Sequence, residues 1–346
     1  MQEVIAVLGA GSWGTALAVH LASNHYRVRL WARNPDFARE IAAKRENAKY
    51  LPGVTLPSSI EVMSELPLLL EEAKIIVFAV PSQSVREVIK KTKPLLKGDC
   101  FLVNTAKGLE NSTCLRLSQV FIEELPQYQN RLVVLSGPSH AEEVGRGIPT
   151  AVVAASHSRE AAEYLQDVFM SPTLRVYTSL DLVGVELGGA LKNIIALGAG
   201  IAEGLGYGDN TKAALITRGL TEIARLGVKL GANPLTFLGL TGMGDLVVTA
   251  MSRHSRNRRA GLLIGQGYSL REALERVGMV VEGVHTTAVA RRIALSYQIE
   301  MPITEKTYQV LFEGLPPDAA VSHLMTRSKR HEVEETFFQR IGYENF

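Results

Sequence analysis

Apolar residues follow two rhythms along this chain, and the rhythm changes near residue 180. Before that point, short aliphatic and β-branched runs alternate with segments at helical spacing. Val4–Leu8, Arg27–Trp31, 75–80, 100–104, Leu132–Ser136, 151–155 and 174–177 read as strands. Continuous apolar runs of this kind suit strands covered on both faces. Residues 15–21, and the segment that follows Pro81 and carries Val85, Val88 and Ile89, have the spacing of helices. The alternation predicts a doubly wound α/β sheet over residues 1–178. After Asp181 the strand patterns stop. Residues 211–230 (ended by Gly231), 288–295, 303–312 and 319–325 predict helices, so 179–346 reads as an all-α domain. The polar tail after Lys329 is expected to vary in order.

The first stretch of the helical half carries an anomaly. Residues 185–200 predict a buried helix, because Leu187, Leu191, Ile194, Ile195 and Leu197 are apolar and Gly188, Gly189 and Ala190 are small. Lys192 and Asn193 nevertheless sit in its middle. An ammonium there is costly unless something pairs with it, and burial can tune it as a general acid requires. The alternative is a lysine snorkelling to the surface along its own stem. The neighbouring glycines would admit a flat ring or a second backbone.

Composition narrows the function classes. Lys+Arg 37 against Asp+Glu 35 leaves a formal charge of +2, so nucleic acid and anionic membrane are not expected as partners of the whole molecule. Two cysteines, Cys100 in a strand and Cys114 in an expected helix, have no CxxC spacing. Neither a disulfide framework nor a metal site is expected, and a reducing cytoplasm fits. Met1-Gln2-Glu3 leads directly into a strand, so no signal peptide is expected. No apolar run reaches the ~18 residues that span a bilayer.

The candidate chemistry lies at the strand ends. Gly9, Gly11 and Gly14 form G-x-G-x-x-G between the first strand and the first helix. That context marks a Rossmann-type dinucleotide turn: one glycine turns, one admits a pyrophosphate, one lets helix pack on strand. A tight turn without a ligand is the alternative. The second strand ends in Trp31-Ala32-Arg33, without the acid that would bind a ribose 2′-hydroxyl. Arg33 instead suits a 2′-phosphate, which favours NADP over NAD, or it is simply a solvated arginine. Lys107 follows a strand at the ligand-binding end of such a sheet and is a candidate for an anionic substrate; a surface lysine is the other reading. Ser139 and Glu142 have capping-box spacing, which alone would explain both. His140 is a candidate acid–base group, although a lone histidine in a first turn is more often not catalytic.

In the second half, Asp245 in a glycine-rich turn either caps a helix or faces Lys192. The run from Ser252 to Arg259 is a solvated helix start, a nucleic-acid patch without the usual aromatics, or a phosphate site built from Ser255, Arg256 and Asn257.

Six motifs in this order resemble the bacterial NAD(P)-dependent glycerol-3-phosphate dehydrogenases. They are Gly9-x-Gly-Ser-Trp-Gly14, Asn104-Thr-Ala-Lys-Gly108, Ser136-Gly-Pro-Ser-His-Ala141, Leu191-Lys-Asn193, Gly242-Met-Gly-Asp-Leu246 and Ser255-Arg-Asn-Arg-Arg259. The resemblance runs from Val4 to about Met325. It implies Lys192 as the general acid–base group, with Lys107, Gly137, Ser139, Lys192, Asp245, Ser255, Arg256 and Asn257 at substrate-binding positions. Ser12, Trp13, Arg33, Ala141, Val280 and Glu282 match cofactor positions, and Lys107 and Arg256 would touch both ligands. Where the family often has a cysteine after the Gly-Asp-Leu turn, this chain has Ala250. The implied reaction is hydride exchange between NAD(P)H and dihydroxyacetone phosphate, supplying glycerol phosphate for phospholipid synthesis in the cytoplasm. A homodimer is admitted as the assembly. Two alternatives remain at this point: an NAD(P)-dependent dehydrogenase of another small hydroxy acid, and a non-catalytic dinucleotide sensor.

Overall fold

In the computed structural model, residues 3–329 and 331–332 are described; the reading of the tail past Lys329 therefore lies almost wholly outside the described residues. The first part of the chain alternates strands β1 (Val4–Leu8), β2 (Arg27–Trp31), β3 (Ile60–Met63), β4 (Ala73–Phe78), β5 (Phe101–Asn104), β6 (Leu132–Ser136), β7 (Thr150–Ala155) and β8 (Leu174–Ser179) with helices. Those helices are α1 (Ser12–Ser23), α2 (Pro35–Lys44), α3 (Leu66–Leu70), α4 (Val85–Thr92), α5 (Leu117–Glu124), α6 (Ala141–Val144) and α7 (Arg159–Phe169). The strands form one sheet in the order β3-β2-β1-β4-β5-β6-β7-β8. All neighbours are parallel except β6 and β7, which are antiparallel.

Both faces of the central strands are covered, which is why β1, β4 and β6 are apolar almost throughout. Ile5, Val7 and Val77 pack with Leu17 and Leu21 of α1. Ala6, Leu8, Ile76 and Phe78 point the other way, against Val85 and Ile89 of α4 and Phe121 of α5. Strand order reverses between β1 and β4, so their C-terminal ends open a crevice at the topological switch point. The edge strands depart from this pattern: β3 has four residues with Glu61 exposed, and β8 alternates buried Leu174 and Val176 with exposed Arg175 and Tyr177.

From residue 182 the chain is helical: α8 (Leu182–Gly204), α9 (Asp209–Lys229), α10 (Asp245–Met251), α11 (Arg256–Gly265), α12 (Leu270–Val277), α13 (Glu282–Ser296), α14 (Pro302–Phe312) and α15 (Pro317–Met325). Gly231 ends α9 with φ +97° beyond its last turn. The glycine-rich segment before α10 is a wide π-type turn over Leu240–Gly244. Cys114 is not in a helix; it occupies a turn with φ +63°.

Helix α8 is the axis of this half, with α9, α10, α11, α13 and α14 packed around it. By length and composition it could cross a membrane, but most of it is buried inside the fold. Its glycines serve close packing. A Cβ at Gly200 would stand 2.1 Å from the Arg258 carbonyl oxygen of α11, and one at Gly261 of α11 would stand 2.0 Å from that of Leu197. Gly188 likewise backs onto the Thr241 carbonyl. Of the glycines before Lys192, Gly188 thus admits a second backbone and Gly189 the side chains of Ser136 and Lys107, not a ring.

Candidate active site

A cavity of about 890 Å³ lies between the two halves, at the switch-point crevice. Its first wall is the turn after β1. Gly9 has φ +119°, and a Cβ there would meet the Ala79 carbonyl oxygen at 2.6 Å. Gly14 sits against the Gly9 carbonyl, so α1 packs directly on the turn. A Cβ at Gly11 would meet nothing within 4 Å, so this backbone faces open cavity. Gly11, Ser12 and Trp13 line the space at the N-terminus of α1, where unpaired N–H groups favour an anion. The turn therefore fits a dinucleotide pyrophosphate. Arg33 and Asn34 line the rim beyond β2, with Arg33 exposed. Ala141, at the start of α6, and Val280 line it from two other elements.

Glu282, the first residue of α13, also lines the cavity. Its carboxylate accepts from the Ser82 backbone N–H at 2.9 Å and from the Ser82 hydroxyl. This contact ties the helical half to the loop after β4.

The deep end is a charge cluster. Lys192 is 5% exposed, so the snorkelling alternative does not hold. Its Nζ donates to Asp245 Oδ1 at 2.6 Å and to Thr249 Oγ1 at 2.6 Å. Asp245 does not cap its helix; its other oxygen accepts from Lys107 Nζ at 2.9 Å. Lys107 also donates to the Gly137 carbonyl at 2.7 Å and to Ser139 Oγ at 3.3 Å, which uses its three donors. Lys192 keeps one N–H over, and the residue lines the cavity.

Burial pulls the Lys192 pKa down from its ordinary value to about 7; Asp245 opposes this, while Lys107 and Arg256 reinforce it. Burial alone would raise the Asp245 carboxyl, but the Lys107 and Lys192 ammoniums outweigh it and hold the group below the usual carboxylate range. Burial, and then the Lys192 ammonium, lower the His140 pKa from its ordinary value; Glu142 opposes this and Lys107 adds to it.

The capping box expected at Ser139 and Glu142 does not form. Helix α6 begins at Ala141 with His140 at its cap position, and the Ser139 hydroxyl donates to the Gly137 carbonyl instead. Lys107 draws that hydroxyl toward the site. Gly137, at φ +136°, shapes the turn, while Gly14 lies behind the glycine turn; neither lines the cavity.

The cationic run divides. Arg258 turns away to pair with Glu203 at 2.9 Å. Ser255 caps α11 by accepting from the Arg258 N–H at 3.2 Å. That leaves the first N–H groups of α11, on Arg256 and Asn257, without intrahelical acceptors. The Arg256 side chain is exposed on the cavity and has no hydrogen-bond or ion-pair partner among the described residues.

Sequence reasoning passed over Thr249 and Ser82. Thr249 lies four residues after Asp245 and donates to its Oδ1 at 3.3 Å. The i, i+4 spacing was a signal, since it puts both on one helix face.

Family comparisons agree with this geometry. Residues 4–162 match the model for the N-terminus of NAD-dependent glycerol-3-phosphate dehydrogenase, and residues 181–322 match that for its C-terminus. The glycerol-3-phosphate dehydrogenase [NAD(P)+] of Pelotomaculum thermopropionicum is 60% identical over 97% of this chain and 96% of its own length. That of Moorella thermoacetica is 59% identical over 96% of this chain and 99% of its own. The crystal structure of glycerol-3-phosphate dehydrogenase from Coxiella burnetii superposes with a TM-score of 0.91 at 41% identity, covering 94% of this chain and 99% of that one. With both halves matched and the turn, the lysine pair and the capped cationic helix converging on one cavity, this chain belongs to the NAD-dependent glycerol-3-phosphate dehydrogenase family.

Proposed function

We propose that the chain interconverts dihydroxyacetone phosphate and sn-glycerol 3-phosphate with NAD(P)H, and that Lys192 is its general acid–base group. The observation that carries this reading is the buried Lys192 ammonium with one N–H left over and a pKa near neutrality. Bound reduced nicotinamide supplies a hydride to the substrate carbonyl carbon. Lys192 gives its spare proton to the carbonyl oxygen as charge develops there, a contribution worth roughly 10²–10⁴-fold in rate. Asp245 and Thr249 fix the direction of that N–H. Lys107, held in turn by the Gly137 carbonyl and Ser139, holds the far side of Asp245 and adds positive potential for an anionic substrate.

The phosphate docks at the start of α11. Ser255 shapes the cap, Arg256 supplies a guanidinium, and the Arg256 and Asn257 backbone N–H groups complete the cradle. Gly9, Gly11, Ser12, Trp13, Gly14, Arg33, Ala141, Val280 and Glu282 form the cofactor side. Residues 1–178 thus supply most of the cofactor side and 179–346 the acid–base lysine and the phosphate cradle, with Lys107 reaching the substrate from the first part and Val280 and Glu282 the cofactor from the second. Arg256→Ala removes charge-assisted hydrogen bonds worth about 1.5–3 kcal/mol each, so kcat/KM for dihydroxyacetone phosphate drops by roughly 10-fold or more. Unphosphorylated dihydroxyacetone is a poor substrate for the wild type and is no worse for the variant. Equal turnover of the two ketones by the wild type contradicts the anchor.

Arg33 supports a preference for NADPH. Arg33→Ala raises the KM for NADPH more than that for NADH; equal losses remove Arg33 from 2′-phosphate recognition. The physiological role that follows is supply of glycerol phosphate for phospholipids in the cytoplasm, with both cysteines reduced. The exposed Leu235 and Leu238 support assembly as a homodimer, which sedimentation equilibrium tests.

A further inference from the structure

We propose that Glu186 is a positioning residue for the reaction: its carboxylate locks α8 to the sheet half in one rotation and so sets where Lys192 stands against Lys107. This rests on the reading of Lys192 as the acid. The first turns of α8 lie on the sheet, where Leu182 and Val185 pack with Val134 of β6 and with Val153 and Ala155 of β7. Apolar contact is non-directional, so it presses the helix onto the sheet without fixing its rotation. Glu186 supplies the direction. Its Oε1 accepts from the Ser118 backbone N–H at 2.7 Å. Its Oε2 accepts from the Ser118 hydroxyl at 2.5 Å and from Arg116 Nη1 at 2.5 Å. Ser118 lies in the first turn of α5, so the carboxylate also satisfies an N–H that the helix leaves unpaired and meets the positive end of its dipole.

The contact is buried and stands apart from the cavity. The Glu186 side chain is 5% exposed, and Glu186, Arg116 and Ser118 are all absent from the cavity walls. An apolar residue would hold α8 against α5 without desolvating a charge; what the ion pair adds is a single geometry. The next turn shows how close that geometry is. A Cβ at Gly189 would stand 2.7 Å from Ser136 Oγ and 3.7 Å from Lys107 Cγ. Lys192 lies three residues beyond Gly189, so a rotation of α8 that releases Glu186 carries Lys192 away from the sheet half.

The groups around Lys192 divide between the halves. Asp245 and Thr249 of α10 and Arg256 of α11 belong to the helical half, and both helices pack on α8. Lys107 and His140 face it from the sheet half. Burial and the Lys107 ammonium both lower the Lys192 pKa, whereas Asp245 raises it. Loosening the two halves weakens the first two influences and keeps the third, so the Lys192 pKa rises.

The test uses the full chain with Glu186→Gln, Glu186→Ala and, as a control, Val168→Ala in the core of the sheet half. It reads kcat for ketone reduction against pH, a melting curve, and the titration of Lys192 itself. The titration is followed by NMR of protein labelled with 13C at the lysine ε carbon, with the signal assigned by its loss in Lys192→Met. Glu186→Gln keeps an acceptor for the Ser118 N–H and loses the charge; Glu186→Ala loses both. The Lys192 midpoint and the pH at which kcat falls should rise together, by about 0.3 unit in Glu186→Gln and about 1 unit in Glu186→Ala. At low pH, where Lys192 is charged in every variant, kcat should be about 3-fold and about 10-fold lower, because the donor is misplaced. Val168→Ala should lower the melting temperature and leave both midpoints in place.

A lowered melting temperature in the Glu186 variants with the Lys192 midpoint within about 0.1 unit of wild type would make the contact purely structural and overturn the proposal. A midpoint that moves down would overturn it too. The NMR titration does not depend on turnover. If Lys192 is not the acid, kcat stops following that midpoint while the midpoint still reports the placement of α8, so the two claims fail separately.

Discussion

In the proposed mechanism Lys192 is the residue on which the chemistry turns, and its protonation sets a direction for pH dependence. Burial lowers its pKa to about 7. Ketone reduction needs the charged form as proton donor, so kcat for reduction falls as pH rises through about 7. Oxidation of the alcohol needs the neutral form as acceptor, so its rate rises through the same range. Paired pH profiles in the two directions check this, and profiles that move in parallel exclude one group serving both. Lys192 was legible in the sequence because a lysine amid leucines and glycines breaks the pattern of its own helix. Asp245 was readable only as one of two options, since an acid after a glycine turn equally suits a cap. Thr249 gave less away: threonines are common in helices, and only the fold brings its hydroxyl to Lys192 Nζ. At Ser139 the local pattern misled. Its capping-box spacing is real, but the Lys107 ammonium binds the hydroxyl and the helix starts one residue beyond His140.

Among the elements, α8 and α11 do most to hold the site in shape. Lys192 lies on one and Arg256 on the other, and the two backbones meet through Gly200, Gly204, Gly261 and Gly265. Gly261→Ala puts a methyl group 2.0 Å from the Leu197 carbonyl oxygen, and backbone cannot yield as a side chain can. The expected loss is about 1–3 kcal/mol or more of stability, read as a lowered melting temperature with reduced kcat. Gly267→Ala is no matched control, because Gly267 has φ +96°. Gly208→Ala is one, since nothing lies within 4 Å of its added Cβ; it should change melting far less. Most elements of the sheet could be read from apolar runs, because strands covered on both faces leave a strong signal. Strand β3 could not, because an edge strand of four residues with an exposed Glu61 leaves almost none. The glycine spacing of α8 and α11 was visible as composition, but which helices met through it was a tertiary fact.

At the scale of the molecule, two halves of different architecture close on one cavity, and each supplies what the other lacks. The sheet brings the glycine turn and Lys107; the helices bring Lys192, Asp245 and the capped start of α11. The carboxylate of Glu282 on Ser82 and the ion pair of Asp245 with Lys107 cross between them. The two halves were legible from the change of rhythm near residue 180. Their docking was not, because Lys107 and Asp245 lie 138 positions apart in the chain and nothing local couples them. Motif order supplied that link where physical pattern could not.

The central claim is that Lys192 moves the proton, and Lys192→Met tests it most directly. Methionine keeps the length of the side chain and removes its charge. Asp245 retains Lys107 as a partner, so no buried carboxylate is left without a cation and the melting temperature should shift by only about a few degrees. NADPH titrated by fluorescence should bind within about 3-fold of wild type, while kcat with dihydroxyacetone phosphate falls by at least about 10²-fold. Turnover within a few-fold of wild type, in a variant that folds and binds NADPH, would contradict the account.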